Sequence, residues 1–462
     1  MRSLHDMKHI LVIGGGPAGY PAALTAARLG AQVTLIEKDK LGGVCLNCGC
    51  IPSKSLLDAA HRFAELSDLV TLSKKGAEDL ARRLFEKRDW TAIQARQQKA
   101  TQKLVQGIGF LLKKANVKVI YGEASFIDDH TVRVKTADGT EVWQADGIIL
   151  ATGSEAFLPP PFDRFKNQIY DNSNLFSMPS LPESMAIIGG GVIGCEMADF
   201  LSALGVTVHV VEMQARILPL EDEAAARTVE RALTKRGVVF HTGVSAKEVH
   251  PHEAGGWKMM LSDGTELQTE KILVAIGRSV NLEMIKAENA GISWTRKGVE
   301  VNPQTLQLKN HIYAAGDITG LCQLAHAASR QGEVAASNLC GVSAVYHNEA
   351  VPRAIYTHPE IAAVGLTRAQ AEADGMTVQS HKSFFLANGR AVAQAQTEGY
   401  VELLSNATNG KLIGGSIVGT GAAELIHIVS VALAAGFTVQ KLQEVIFAHP
   451  TLAECVYEAA RL

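Results

Sequence analysis

The chain has 462 residues, too many for one hydrophobic core, so two to four domains are expected. Its hydrophobic fraction is 47% and its charged fraction 20%, and a net charge of −3 with an isoelectric point near 6.6 leaves no basic surplus for nucleic acid or an anionic membrane. Seven cysteines are too few, and odd in number, for a secreted disulfide framework; clustered thiols in such a chain suit catalysis or metal binding.

Met1 to Lys8 is partly basic and Ile10 to Ala23 is small and apolar, the outline of a signal peptide. The glycines inside that run and its continuation into Gln32-Val33-Thr34-Leu35-Ile36-Glu37 favour a strand instead. With no window of about 18 uninterrupted apolar residues, a cytoplasmic protein is expected, with no membrane partner. His9 to Ile13 predicts a buried strand, Gly19 to Leu29 a helix and Gln32 to Ile36 the next strand. Gly14, Gly16 and Gly19 fit G-x-G-x-x-G between them. The first glycine makes the tight turn, the second lets backbone approach a pyrophosphate, and the third lets helix and strand pack, leaving phosphates at a helix N-terminus. Glu37 ends the second strand, where a carboxylate accepts ribose hydroxyls.

The thiol run follows: Gly42-Gly43-Val44-Cys45-Leu46-Asn47-Cys48-Gly49-Cys50-Ile51-Pro52-Ser53-Lys54. Thiols next to a dinucleotide site suggest a disulfide that cycles, since a disulfide, like a flavin, takes up two electrons and two protons. On an ideal helix the Cα atoms of Cys45 and Cys50 would lie about 8.6 Å apart. That exceeds the roughly 7 Å limit for a disulfide. Cys45 and Cys48, about 5 Å apart by the same geometry, would suit a C-x-x-C pair. Gly49, with a helix beginning near Cys50, relaxes the constraint and keeps Cys45–Cys50 open. Zinc is a third option, but a well-spaced fourth ligand is missing.

Farther on, Trp90 to Ala115 reads as a helix and Val117 to Val142 as short alternating strands. Asp146 to Leu150 predicts a strand running into Ala151-Thr152-Gly153-Ser154, and Lys271 to Ile276 a comparable one running into Gly277-Arg278; each looks like a chain crossing between domains. Between the two, Met185 to Ile188, Gly194 to Leu204 and Thr207 to Val211 repeat the strand–helix–strand plan, with Gly189, Gly191 and Gly194 in the turn and Glu212 at the strand end. A carboxylate there favours NAD and repels a 2′-phosphate, although Arg216 stands four residues on. Ile312 to Asp317 is another strand-to-turn unit, whose Ala315-Gly316-Asp317 can meet the ribityl chain or phosphate of an extended FAD. From Val351 the pattern becomes α+β, with strands at Ser380–Leu386, Gly399–Leu404 and Lys411–Val418 and helices at Ala422–Gly436 and Val439–Ile446, and without a glycine fingerprint. The expected fold is α/β: two Rossmann-like dinucleotide-binding domains plus a C-terminal α+β domain. Its divisions fall at 1–150 and 277–347 for the first domain, 151–276 for the second and 348–462 for the last.

The thiol run resembles the redox motif of the dihydrolipoamide dehydrogenases, within the pyridine nucleotide-disulfide oxidoreductases. The resemblance takes in Glu196, the Ala-Gly-Asp segment and the C-terminal His449-Pro450-Thr451-Leu452-Ala453-Glu454, and so nearly the whole chain. It implies that Cys45 pairs with Cys50, Cys45 exchanging with substrate and Cys50 contacting the flavin. Lys54 would sit by flavin N5, paired with Glu196. Thr152, Gly153, Ser154, Asp317 and Ala325 would line FAD, with Gly14, Gly16, Gly19 and Glu37. Gly189, Gly191, Gly194, Glu212 and Gly277 would hold NAD. His449, oriented by Glu454, would be the base beside the disulfide of the other subunit, making the last domain the interface of a homodimer. Electrons would run from dihydrolipoamide on a lipoyl-bearing protein through Cys45–Cys50 and FAD to NAD. Cys48 stands where the family usually has valine, and Phe447 departs from His-Ala-His-Pro. The bland expectation for Cys48 is a packed side chain. His427 and His326 are expected in the core, and no metal is expected. The competing readings are a disulfide reductase of the same family with another substrate, and a FAD-bearing scaffold without turnover.

Overall fold

The computed structural model describes residues 8–73, 77–253 and 255–462. The basic stretch at the N-terminus therefore lies, apart from Lys8, outside the described residues. Strand β1 (His9–Ile13) is apolar and almost wholly buried, which suits a strand covered on both faces. It sits between β2 (Gln32–Glu37) and the strand Gly147–Leu150, both parallel to it. The six-stranded sheet runs 307–309, 312–314, 147–150, β1, β2, then β3 (Lys118–Tyr121). Only its 307–309 edge is antiparallel.

Helix α1 (Gly19–Arg28) crosses from β1 to β2. Its small residues bring it against the helix Ala325–Leu339, where a Cβ on Gly332 would lie 2.1 Å from the Ala18 carbonyl oxygen. A second sheet, all parallel, orders 239–242, 207–212, 184–188 and 271–274. Each of these two sheets has a three-stranded antiparallel sheet beside it, at 123–144 and 246–269. Glu155–Ala156 pairs antiparallel with Arg278–Ser279, so the chain leaves the first sheet and returns to it through one two-stranded ribbon. The 307–314 strands then complete the first sheet.

The last five strands form an antiparallel sheet ordered 353–355, 361–365, 412–418, 400–406, 378–384, packed on the helices Ala422–Ala434 and Glu454–Arg461. Some expected elements end earlier than their sequence pattern. The strand expected to reach Leu386 stops at Phe384, and the chain turns so that Phe385 is buried while Leu386 is 71% exposed. The helix expected to reach Ile446 ends at Gln443.

Candidate active site

Both glycine turns are built alike. Gly14 takes φ +103° and Gly189 φ +109°, which an L side chain rarely adopts. A Cβ on Gly19 would lie 1.7 Å from the Gly14 carbonyl oxygen, and one on Gly194 1.9 Å from that of Gly189, so only glycine lets each helix start this close to its strand. The strand-end acids also correspond. Glu37 accepts hydrogen bonds from Gly15 N at 2.7 Å and Asp39 N at 2.8 Å. Glu212 accepts from Gly190 N at 2.6 Å and Gln214 N at 2.7 Å. Gly191 and Gly277 leave open space where a side chain would project. Arg216 is not available to a phosphate: its guanidinium donates to four carbonyls, those of Ile217, Leu218, Pro219 and Glu221, at 2.7–3.3 Å.

The thiol run folds against the first of these turns. Gly42 and Gly43 both have positive φ, and a Cβ on Gly43 would come within 2.8 Å of Gly16 Cα. Gly42 N donates to Gly15 O at 2.8 Å. Asn47 Nδ2 ties the run by donating to the carbonyls of Leu41 and Gly43. Two helices result, α2 (Gly43–Cys48) and α3 (Cys50–Ala64), broken at Gly49, whose φ −139° and ψ −115° are not helical. A Cβ at Gly49 would meet the Val44 carbonyl oxygen at 2.9 Å. The break brings the side chains of Cys45 and Cys50 into hydrogen-bond contact, where a continuous helix would have held them apart. Cys50 is lowered to about 7, first by the hydrogen bond from Cys45, against burial, and then by Lys54. Cys45 is pushed up, because it keeps the proton the pair shares and is itself buried. Cys48 packs on the core of the second sheet, burial raises its thiol, and its charged neighbours are Arg278, Asp171, Asp39 and Lys40.

One turn beyond Cys50, Lys54 Nζ donates to both oxygens of Glu196, at 2.9 and 2.7 Å, and stands 4.6 Å from the centre of the Tyr356 ring. Glu196 is 3% exposed and also accepts Tyr356 N at 3.1 Å. Ser154 Oγ donates to Asp317 Oδ2 at 2.5 Å and accepts from Arg278 Nε at 2.7 Å, across the interdomain ribbon. The helix beginning at Ala325 is tied to the first glycine turn by Ser329 Oγ, which donates to Pro17 O at 2.9 Å.

His449 is 78% exposed, and its Nδ1 lies 3.0 Å from Glu454 Oε1. A carboxylate only accepts, so Nδ1 carries the hydrogen and Nε2 presents a basic lone pair outward. Glu454 is held below the usual carboxylate range by Thr451 N–H first and His449 second.

Residues 8–332 match the pyridine nucleotide-disulphide oxidoreductase family, and residues 351–460 match its dimerisation domain. The chain belongs to that family. It is a flavoprotein oxidoreductase of α/β fold with FAD and NAD as its cofactors, and it carries the family's dimerisation domain. A dihydrolipoyl dehydrogenase of Bacillus subtilis is 38% identical over 97% of both chains. The crystal structure of LpdA from Mycobacterium tuberculosis superposes with a TM-score of 0.91 at 31% identity, covering 98% of this chain and 99% of that one. A flavoprotein disulfide reductase of Escherichia coli, RclA, described as induced by HOCl, gives 0.85 at 26% identity, covering 98% and 99%.

The residues present fit FAD. The Gly14–Gly19 turn with Glu37 at the strand end has the dinucleotide-binding pattern, and Ser154 and Asp317, hydrogen-bonded to each other, follow the neighbouring strands 147–150 and 312–314. They fit NAD at the second turn, where Glu212 is in place and Arg216 is engaged elsewhere. Among the described residues no helix is long and apolar enough to cross a membrane.

Two expectations are corrected. His427 is exposed, because the buried stripe of its helix runs through positions 422, 423, 426, 429 and 432 and misses it. His326 is exposed too, its Nε2 lying 2.7 Å from the Pro352 carbonyl oxygen. Sequence reasoning missed Arg278 as a clamp on Ser154. It also missed Tyr20, whose phenol is raised by burial first and then by its neighbour Cys45. Asp129, His130 and His311 gather three potential metal-ligand atoms within 4.8 Å. Their imidazoles stack 3.7 Å apart at only 13°, so the in-plane lone pairs run side by side instead of converging, and Lys309 Nζ stands 3.9 Å from Asp129 Oδ2.

Proposed function

We propose that this protein is a dihydrolipoamide dehydrogenase, oxidising the dithiol of a lipoyl-bearing protein of a 2-oxoacid dehydrogenase or glycine cleavage complex with reduction of NAD, as a cytoplasmic homodimer. The observation that carries the reading is the approach of Cys45 to Cys50 across the Gly49 break, one helical turn from the Lys54–Glu196 pair. Oxidised, the two cysteines form a disulfide. A substrate thiolate attacks Cys45 Sγ, the Cys45–Cys50 bond breaks, and Cys50 leaves as a thiolate. The second substrate thiol, deprotonated at His449 Nε2 of the other subunit, displaces Cys45 and closes the substrate disulfide. FAD, when bound, supplies the two-electron centre between thiolate and NAD. Lys54 holds positive charge beside Cys50, and Glu196, almost without solvent, fixes that ammonium in place. Glu454 holds His449 in the tautomer that accepts a proton at Nε2.

The domain divisions given above and the roles of the NAD-side and FAD-side residues belong to the same proposal. Full-length relatives named dihydrolipoyl dehydrogenase support it, as do the carboxylate at 212 and the engagement of Arg216. The test is NADH formation from dihydrolipoamide by the holoenzyme, followed at 340 nm against NADP and against other dithiols. Wild type is expected to prefer dihydrolipoamide and NAD. Cys45→Ser is expected to lose at least about 1,000-fold in turnover while keeping its flavin, since removing a covalent nucleophile removes the route itself. Turnover surviving that substitution, or NADH formed from no dithiol, would reject the proposal.

A further inference from the structure

Asp199 is a fully buried carboxyl group with no part in the chemistry above. It lies three residues beyond Glu196 on the helix Val192–Ala203, hence on the same face. Its Oδ2 lies 3.1 Å from His61 Nε2 and accepts His358 N at 2.6 Å. Its Oδ1 pairs with Arg236, whose other amino group donates to the His358 carbonyl oxygen at 2.5 Å. Glu196 makes the same two kinds of bond one turn away: Lys54 from α3 and Tyr356 N from the connection between the first two strands of the C-terminal sheet.

The arrangement is a ladder with two rungs. Lys54 and His61 are seven residues apart on α3, two helical turns, and so share a face. Glu196 and Asp199 face them. Tyr356 and His358, alternate residues of one stretch, direct their N–H groups to the same two carboxylates. Three elements with different periods are thus pinned in one register. Buried ion pairs cost about as much in desolvation as they return, and their best-attested benefit is register.

We propose that Asp199 is a positioning residue: with His61 and Arg236 it fixes α3 against the 192–203 helix and the 356–358 segment, and so holds Lys54 on Glu196 beside Cys50. The inference rests on the role given above to the Lys54–Glu196 pair. The groups facing His61 are Asp199, His358 and Glu360, and His358 in turn feels Arg236 and Glu65, the residue that follows α3. Burial first, and then the neighbouring His61, depress His358.

A double-mutant cycle on the holoenzyme tests it. Asp199→Asn keeps an acceptor for His358 N but removes the charge that holds His61 and Arg236. It is expected to lower kcat about 10-fold, to leave KM for NAD unchanged, and to alter the flavin absorbance of the dihydrolipoamide-reduced enzyme, while costing less than about 2-fold in a Glu196→Gln background. His61→Gln leaves Asp199 paired with Arg236 and is expected to act in the same direction more weakly; it replaces Asp199→Asn in the cycle if that variant does not fold. Effects of positions 199 and 196 that multiply, or an unchanged kcat and spectrum in a folded variant, overturn the inference alone. A Glu196→Gln enzyme with full turnover overturns the role of the Lys54–Glu196 pair and this inference with it.

Discussion

At the scale of residues, the site works by placing unlike groups so that each alters its neighbour. Cys50 begins α3, accepts a hydrogen bond from Cys45 and stands a turn from Lys54; all three favour its thiolate, and burial opposes them. In the dithiol state, alkylation of Cys50 should therefore rise as pH increases through about 7. Cys45→Ala removes the largest stabilising contact and should move that midpoint upward by about 1 unit or more. Cys45→Ser, which retains a hydroxyl donor, should move it less. Peptide mapping after timed alkylation across pH gives the midpoints, and identical values for the two variants would contradict the hydrogen-bond assignment. Nucleotide choice is also made at single residues. Glu212 was legible as a strand-end acid, but Arg216, four residues on, left a phosphate partner open until its donors were found on backbone carbonyls. Those carbonyls become neighbours only when the 216–221 turn folds, so no pattern in the sequence marks them.

At the scale of elements, the two glycine turns are the most strictly determined parts of the molecule. The repeat of strand, turn, helix and terminal acid is written in residue order, because all its contacts are local or one strand away. A methyl group at Gly194 would sit 1.9 Å from a backbone oxygen that cannot retreat without moving the strand below it. Gly194→Ala should destabilise the protein by about 1–3 kcal/mol and raise KM for NAD about 10-fold or more, while the flavin remains bound. Gly19→Ala, with its methyl 1.7 Å from Gly14 O, should instead yield protein depleted of flavin. Flavin absorbance and NAD kinetics on the two variants separate the outcomes, and the reverse pattern would mean that the sites had been exchanged. The ideal-helix spacing favoured Cys45–Cys48 because it assumed one continuous helix. Gly49 ends that helix after one and a half turns and restarts it on a new axis.

At the scale of the whole molecule, the thiol pair and His449 share no hydrogen bond or ion pair within one chain among the described residues. The C-terminal part of the chain, which carries His449, exposes Val431, Leu386 and Ile446, the last at 97%. Such a surface suits burial against a second copy, and the dimerisation domain covers this part of the chain. If each site takes its thiols from one subunit and its base from the other, Cys45→Ser and His449→Gln enzymes should each be nearly inactive. Unfolded together and refolded at equal amounts, they should regain roughly a quarter of wild-type turnover, since half the dimers are mixed and each has one complete site. No recovery, with mixed dimers verified by mass spectrometry, would place the base within its own subunit.

What the order of residues determined by itself is everything built from short-range periodicity. That includes the two dinucleotide folds, their acids, the thiol run, the crossings between sheets and the His449–Glu454 spacing. What only the tertiary structure decided is whatever depends on groups far apart in the chain and carried by no motif: Asp199 among His61, Arg236 and His358, and Arg278 on Ser154, partners 37 to 159 positions away. The reason is physical. Turn and helix chemistry is dictated by neighbours along the backbone, whereas a buried carboxylate takes its partners from whatever packing brings within hydrogen-bond reach.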